Sequence, residues 1–174
     1  FCVFNQAAIA ALHARERHGL QRVAVVDFDV HHGNGTQHSF WDDPDLFYGS
    51  CHQSNFYPGT GARQETGVAG NIVNVPFPRG TGSAAFRAAM TDQLLPALRE
   101  FAPELLIISA GFDAHHLDPL GGLQFTDEDY HWITRELMKV ADETAGGRVV
   151  SVLAGGYSLE GLASGTAAHV RALM

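Results

Sequence analysis

The sequence predicts an α/β fold in which one parallel sheet is flanked by helices on both faces. Two patterns predict it. Short apolar runs of strand length alternate along the chain with longer segments of helical periodicity. Several of these runs, such as 105–109, are almost entirely apolar, which is typical of strands buried on both faces of a parallel sheet. With 174 residues, 45% of them hydrophobic, the chain can enclose a core, and we expect a single domain over 1–174.

The predicted elements follow the periodicity in chain order. The first helix covers 5–18, where positions 8, 9, 11 and 12 form an apolar stripe, and Gly19 is expected to end it. Three apolar strands follow at 23–27, 46–50 and 72–75, with a Gly-rich polar loop over 52–70. The remaining elements are a helix at 84–101, a strand at 105–109, a helix at 127–145, a strand at 149–154 and a helix at 159–174. Pro96 is expected to kink or restart its helix.

Composition argues against several classes of protein. The net charge is −8, and the acidic residues are scattered, so we expect no nucleic-acid partner and find a cationic substrate better matched to this field. No apolar run reaches the roughly 18 residues that cross a bilayer, and no charged-then-apolar leader precedes the first helix. We therefore expect a soluble, cytoplasmic protein without a membrane partner. Cys2 and Cys51 are expected to be buried thiols.

The most informative stretch is 23–37, VAVVDFDVHHGNGTQ. Side chains two positions apart on an extended strand point the same way, so Asp27, Asp29 and His31 should share one face. Phe28 and Val30 should then face the packed side. A carboxylate and an imidazole that project together where the chain leaves a strand can bind a divalent metal. Without a cation, two neighbouring buried carboxylates would repel each other and lose their hydration.

Two further strands also run directly into polar, Gly-rich sequence. They are LLIIS before AGFDAHHLDPLGG and VVSVLA before GGYSLEG. Because the carboxyl ends of parallel strands open on one edge of a sheet, the three segments should converge there. This geometry predicts one pocket lined by Asp29, His31, Asp113, Asp118 and Tyr157.

These motifs, taken in order, resemble the zinc-dependent histone deacetylase family, which includes acetylpolyamine amidohydrolases. The pattern D-x-D-x-H-H-G-N-G-T-Q is followed by S-A-G-F-D-x-x-x-x-D-P-L-G-G and then by G-G-Y. The class II and bacterial branch is the nearest, because Asn34 replaces the Asp of other branches and F-Y-P-G-T-G follows at 56–61. The resemblance covers nearly the whole chain and implies an arginase/deacetylase-like fold.

The resemblance also implies roles for individual residues. Asp29, His31 and Asp118 would bind one Zn²⁺, leaving positions for water and a substrate carbonyl. Tyr157 would be the catalytic donor to the developing oxyanion, delivered by a tight turn at Gly155 and Gly156.

Further implied roles surround this centre. A structural K⁺ or Na⁺ would be held by Asp27, the backbone carbonyls of Asp29 and His31, and the Ser50 hydroxyl. Phe1, Tyr57 and Phe125 would line the channel that holds the methylenes of an acyl-lysine. Burial of each methylene would contribute roughly 0.8 kcal/mol to substrate binding. The supporting residues would be His32, Asn34, Asp113, Gly155 and Gly156. Asn34, a neutral amide, would stabilise its histidine partner less than a carboxylate does.

Besides Asn34, the chain departs from the family in its general base. The family's general base is a pair of adjacent histidines shortly before the segment that begins at Phe1, and we expect the chain to be the carboxyl-proximal part of the domain, incomplete at its N-terminus. The predicted function is a metal-dependent amidohydrolase that removes acetyl groups from lysine side chains or polyamines. Without its base it would lose roughly 10²- to 10⁴-fold in rate. The alternative is a non-catalytic acyl-lysine or metal-binding module.

The same residues also have possible structural roles. Asp27 and Asp29 can cap a helix that starts near His32. Asp118 before Pro119 can be a turn residue. Asp113 is expected to be structural, accepting backbone hydrogen bonds in its loop, and His115 and His116 are expected to be exposed. A two-manganese arginase-type site is disfavoured because it needs further bridging ligands. Zinc against ferrous iron, the substrate, and a homo-oligomeric state stay open.

Overall fold

A computed structural model describes residues 3–174 of the protein; Phe1 and Cys2 lie outside the described residues. The elements in chain order are α1 Gln6–His18, β1 Val23–Asp27, α2 Asn34–Phe40, β2 Leu46–Gln53, β3 Ile72–Phe77, α3 Ser83–Ala89, α4 Leu95–Phe101, β4 Leu105–Ala110, α5 Asp127–Thr144, β5 Val149–Leu153 and α6 Leu159–Leu173. Each predicted strand and each long predicted helix is present, and α1 ends at Gly19 as expected.

The five strands form one parallel sheet in the order β3-β2-β1-β4-β5. In this register Asp27, the last residue of β1, lies between Ser50 of β2 and Ser109 of β4. β1, β4 and β5 therefore end within one residue of one another, and the loops that follow them leave from the same edge of the sheet. The predicted fold class, a parallel sheet, is confirmed.

Helices cover both faces of the sheet, as predicted. Ala24 and Val26 of β1 belong to the core under α3 to α6, whereas Val23 and Val25 belong to the core under α1. All four side chains are completely buried. Burying such a side chain stabilises the fold by about 1.5–3 kcal/mol, which is why these strands are apolar on both sides. No helix in the described part of the chain is long and apolar enough to cross a bilayer.

The predicted helix over 84–101 is interrupted before Pro96. Regular α-helix ends at Ala89, five residues of wider π-helical turn span Met90–Leu94, and α4 starts at Leu95. A proline lacks the backbone N–H and its ring clashes with a carbonyl of the preceding turn, so the helix restarts at that point.

Strand β2 is longer than predicted. It continues through His52 and Gln53, which are polar and were therefore expected in a loop. Both are buried, and their polar groups have partners: the ring nitrogens of His52 contact the Ser50 hydroxyl at 2.9 Å and the Gly61 carbonyl at 3.0 Å. Burial of a polar residue in a strand is tolerated when its hydrogen bonds are made inside the protein.

A second buried histidine, His169 of α6, joins α5 to β5. Because the Thr134 hydroxyl donates to the Tyr130 carbonyl, His169 Nδ1 donates to Thr134 Oγ1 at 2.7 Å. The Ser151 hydroxyl then donates to His169 Nε2 at 2.8 Å. Burial lowers the pKa of His169 to about 4, so its ring is neutral near pH 7.

We expect acid to weaken the fold through His169. The unfolded chain takes up this proton near pH 6.5 and the folded chain only near pH 4, so stability falls as the pH decreases between these values. His169→Gln removes the proton uptake. Urea unfolding at pH 7 and pH 4.5 should show that the loss of stability is smaller in the variant by roughly 2 kcal/mol. Equal losses in the two proteins would contradict this assignment.

Candidate metal centre

The carboxyl ends of β1, β4 and β5 open into one cleft with a volume of about 310 Å³. Asp27 and Asp29 line it from β1, Ser109 from β4, and Gly155 and Tyr157 from the loop after β5. The three segments that were predicted to converge therefore do so.

Asp29 and His31 are held at the end of β1 by backbone hydrogen bonds. Asp27 Oδ1 accepts from Asp29 N at 3.0 Å, and Asp29 Oδ1 accepts from His31 N at 2.8 Å. Phe28 and Val30 point the other way and are fully buried, as the alternation predicts. The capping alternative does not hold, because the N-cap of α2 is Gly33.

Asp113 completes a group of three potential metal ligands. Its Oδ1 accepts from Val30 N at 2.7 Å, and its Oδ2 lies 3.1 Å from His31 Nδ1. Asp29 Oδ1 lies 3.0 Å from the same nitrogen, and one ligand atom from each residue falls within 4.8 Å of the others. Ligands bound tetrahedrally to Zn²⁺ at 2.0–2.1 Å are about 3.3 Å apart. This donor set therefore fits a small divalent cation.

Asp118 does not join this group, which corrects its assignment as the third ligand. Its Oδ2 accepts from the backbone of Tyr157 and Ser158, and its Oδ1 accepts from the loop at Leu120 and Gly121. The turn explanation thus describes part of its role. Asp113 was predicted to be only structural, but it follows β4 after two residues, much as Asp29 follows β1. Distance from the strand end was the signal that would have identified it.

The electrostatics of the cluster favour a bound cation. Burial and the neighbouring charge of Asp29 raise the pKa of Asp27 well above its ordinary value. Burial raises the pKa of Asp113 to about 6. Burial alone lowers the pKa of His31, but the hydrogen bonds and charges of Asp113 and Asp29 together outweigh it and raise that pKa to about 9. The two carboxylates thus stabilise positive charge on the His31 ring that lies between them. A bound metal ion would supply that positive charge instead.

The loop after β5 approaches the carboxylates so closely that it needs glycine. Gly155 N donates to Asp29 Oδ2 at 2.8 Å. A Cβ at Gly155 would lie 2.6 Å from that oxygen and would overlap Asp113 Oδ2 still more severely. Gly156 follows with φ 144°, a conformation that favours glycine, and it turns the chain so that Tyr157 lines the cleft. The supporting roles of the two glycines in catalysis stay a prediction.

Aromatic rings surround His31. Phe56 stacks on the imidazole with ring centroids 5.1 Å apart. Tyr57 and Tyr157 form T-shaped pairs with His31, with centroids 6.3 Å and 6.5 Å from that of its ring. Tyr57 and Tyr157 are 59% and 44% exposed, so both can meet a ligand that enters the cleft. Phe56, part of the F-Y-P-G-T-G motif, thus lies beside the ligand group.

Phe125 is not part of this cleft, which corrects its assignment to the channel. It is 1% exposed and packs in the core, with its ring centroid 4.1 Å from that of Phe86 and 6.3 Å from that of Phe77. An isolated backbone bridge joins Phe125 to His115. Phe1, the third predicted channel residue, lies outside the described residues.

The predicted monovalent-cation residues are adjacent. Ser50 is fully buried beside Asp27. Because His52 Nε2 donates to the Gly61 carbonyl, its Nδ1 accepts the Ser50 hydroxyl hydrogen at 2.9 Å. The lone pairs of the Ser50 oxygen are thereby left for other donors or a cation. The ion itself stays a prediction.

Two further predicted supporting residues differ in position. His32 is buried, and its ring contacts Gln37 Oε1 at 2.9 Å and Thr60 Oγ1 at 2.7 Å, so it braces the neighbouring loop. Asn34 is exposed, starts α2 and lines the cleft.

The adjacent histidines in the loop after β4 are placed differently from each other. His115 was expected to be exposed but is 2% exposed, with Nδ1 accepting from Leu117 N and Nε2 lying 3.3 Å from Asp127. His116 is exposed, as expected.

Known proteins resemble this chain over its whole length. Histone deacetylase 14, chloroplastic, of Arabidopsis thaliana is 46% identical over 177 residues that include 100% of this chain and 42% of that protein. Polyamine deacetylase HDAC10 of Homo sapiens is 44% identical over 183 residues, which include 100% of this chain and 27% of that protein. The chain thus spans less than half the length of both relatives.

The fold comparison agrees. A solved structure described as the crystal structure of the HDA15 HD domain superimposes with a TM-score of 0.93 at 40% sequence identity, covering 99% of this chain and 49% of that one. The structure of the histone deacetylase Clr3 superimposes with a TM-score of 0.92 at 35% identity, covering 98% of this chain and 30% of that one. The predicted arginase/deacetylase-like fold is confirmed. The family model for the histone deacetylase domain matches residues 1–173, and the chain therefore belongs to the histone deacetylase family.

Proposed function

We propose that the chain carries the metal-binding and oxyanion-stabilising groups of a deacetylase that acts on N-acetylated lysine side chains or acetylated polyamines. The observation that carries this proposal is the group of Asp29, His31 and Asp113, of which Asp29 and His31 line the same cleft as Tyr157. Membership of the histone deacetylase family supports it, and the name of the human relative supports including polyamines among the substrates.

Asp29, His31 and Asp113 would hold one Zn²⁺. Bound there, the ion would polarise the amide carbonyl and lower the pKa of a bound water. Three protein ligands are typical of catalytic zinc sites, which keep a position open for water or substrate. The same mixed oxygen and nitrogen set would also accept ferrous iron.

The chain's own groups would orient and stabilise the reacting amide. Phe56 and Tyr57 would flank the methylenes of the substrate, and the Tyr157 phenol would donate to the carbonyl oxygen as it gains negative charge. Water oxygen would become bonded to the acetyl carbon, the carbon–nitrogen bond would break, and the nitrogen would leave as the amine after gaining a proton. The products are acetate and the free amine.

General-base catalysis needs a group that the described cleft does not offer. Within residues 3–174, the imidazoles that line it are those of His31 and His32. His31 belongs to the ligand group, and both ring nitrogens of His32 are in hydrogen bonds. We therefore expect this chain by itself to hydrolyse the amide roughly 10²- to 10⁴-fold more slowly than a deacetylase that has a positioned base. The same observation favours the second candidate, a non-catalytic acyl-lysine or metal-binding module.

Other expectations stay predictions. They are the structural K⁺ or Na⁺, a homo-oligomer, and a cytoplasmic location. The last is not supported by the relatives as a group, since the Arabidopsis protein carries "chloroplastic" in its name.

Added imidazole should distinguish the two candidate functions. We expect zinc-loaded chain to release acetate from an acetyl-lysine peptide or from an acetylpolyamine, and up to 0.2 M imidazole, as an external base, to accelerate release at least about tenfold. Acetate release is measured with each substrate, and protein treated with a chelator is the control. Tight binding of both substrates without turnover under any of these conditions would favour the non-catalytic module.

Gly155→Ala should reduce metal binding. The new methyl group would overlap the oxygens of Asp29 and Asp113, so their ligand atoms must move apart. We expect zinc affinity, measured by competition with a chromophoric chelator, to fall at least about tenfold. Gly35→Ala is the matched control, because a Cβ there meets only Asn5 Nδ2 at 3.7 Å and the residue lies in the same cleft. Equal zinc affinity in the two variants would argue against the site.

Tyr157→Phe should reduce turnover without affecting the metal. Removing one oxyanion donor typically lowers kcat by about 10²- to 10³-fold. We expect that loss in the imidazole-supplemented assay, together with zinc affinity within about twofold of the unsubstituted chain. An unchanged kcat would exclude Tyr157 from the chemistry.

A further inference from the structure

We propose that Asp118 is a positioning residue that fixes the Tyr157 backbone against the loop that carries Asp113. This inference rests on the proposed function, in which the Tyr157 phenol meets the developing oxyanion. It assigns Asp118 a role through another residue, with no contact to metal or substrate.

The carboxylate of Asp118 connects two loops. Its Oδ2 accepts from Tyr157 N at 2.8 Å and from Ser158 N at 3.2 Å. Its Oδ1 accepts from Leu120 N at 2.9 Å and from Gly121 N at 3.1 Å. Four backbone N–H groups from the loops after β4 and β5 thus converge on one side chain.

The position of this carboxylate suits an anion. Asp118 is 7% exposed, and no lysine or arginine within residues 3–174 forms an ion pair with it. The N–H groups of Tyr157 and Ser158 stand at the start of α6, where Ser158 is the N-cap and the helix dipole favours negative charge. Charge-assisted hydrogen bonds of this kind are about twice as strong as neutral ones.

Hydrogen bonds therefore hold the backbone near Tyr157 at two points. Two residues earlier, Gly155 N donates to the proposed metal ligand Asp29 at 2.8 Å. At Tyr157 itself the backbone donates to Asp118, which lies five residues after the proposed ligand Asp113. Hydrogen bonds thus connect the backbone that carries the phenol to both loops that carry the proposed metal-binding carboxylates.

The position of this backbone matters because it sets where the Tyr157 side chain starts. That side chain is 44% exposed, and its ring centroid lies 6.5 Å from that of His31. An oxyanion donor acts only when it is within about 2.7–3.1 Å of the developing charge, and a displacement of about 1 Å can cost 10²-fold in rate. Weakening the hydrogen bonds from the Tyr157 and Ser158 backbone to Asp118 should therefore displace the Tyr157 phenol and reduce kcat.

Asp118→Asn tests this role because it retains size but turns one acceptor oxygen into a donor. We expect kcat in the imidazole-supplemented assay to fall about 10- to 100-fold with little change in KM, and zinc affinity to stay within about threefold. In the Tyr157→Phe background the same substitution should cost less than about threefold, because the interaction it serves is already absent.

Asp129→Asn is a control for the loss of a buried carboxylate at a helix start. Asp129 accepts N–H and hydroxyl groups at the start of α5, away from the cleft, and unlike Asp118 it also pairs with Arg87 at 2.8 Å. Any effect of Asp129→Asn on kcat should be the same with Tyr157 or Phe at position 157. Melting temperatures of all variants report loss of folding separately.

Amide hydrogen exchange tests the hydrogen bonds of Asp118 to the Tyr157 and Ser158 backbone even if the chain has no turnover. Amide hydrogen exchange at Tyr157 and Ser158 in zinc-loaded Asp118→Asn should be at least about tenfold faster, with exchange at Gly155 unchanged. Unchanged exchange at 157 and 158, kcat losses that add to those of Tyr157→Phe, or a zinc affinity more than about tenfold weaker would each overturn the proposal. Absence of turnover in the unsubstituted chain would instead count against the proposed function.

Discussion

Mutual repulsion among carboxylates at one edge of the sheet is the constraint to which the rest of the site responds. Asp29 and Asp113 meet around His31, and Asp27 lies near both carboxylates, in surroundings that raise the pKa values of Asp27, Asp113 and His31. Such a cluster is tolerated when N–H donors or a cation offset the charge. Val30 N donates to Asp113 and Gly155 N donates to Asp29, while the imidazole lies between the two carboxylates. The remaining lone pairs are available to a metal ion.

The parallel register is what brings these groups together. Asp27 lies between Ser50 and Ser109, so the loops after β1 and β4 start side by side. A slip of one residue would turn every strand side chain to the opposite face and would separate the ligands. Carboxylates then tie the loops to one another: Asp113 binds the loop after β1, and Asp29 and Asp118 bind the loop after β5. The acidic side chains therefore serve both as proposed ligands and as crosslinks between loops.

The relatives named deacetylases match this chain over only part of their own length. The chain shares 46% and 44% identity with two deacetylases while spanning 42% and 27% of their lengths. Within the described residues, Asp29 and His31 line the same cleft as Tyr157, and Asp113 lies next to His31. Metal binding can therefore be measured separately from turnover.

Local sequence was sufficient for the strands, for most helix limits and for the Asp29 and His31 pair, because alternation along a strand sets the side to which a side chain points. Tertiary structure decided the choice between Asp113 and Asp118. Both lie in one loop, whose path depends on hydrogen bonds to residues far away in sequence, such as Val30 at a separation of 83 positions. It likewise decided that Phe125 faces the core, His115 is buried and Phe56 stacks on His31. In a loop no periodicity relates sequence position to direction, so only contacts with the rest of the fold determine where such side chains point.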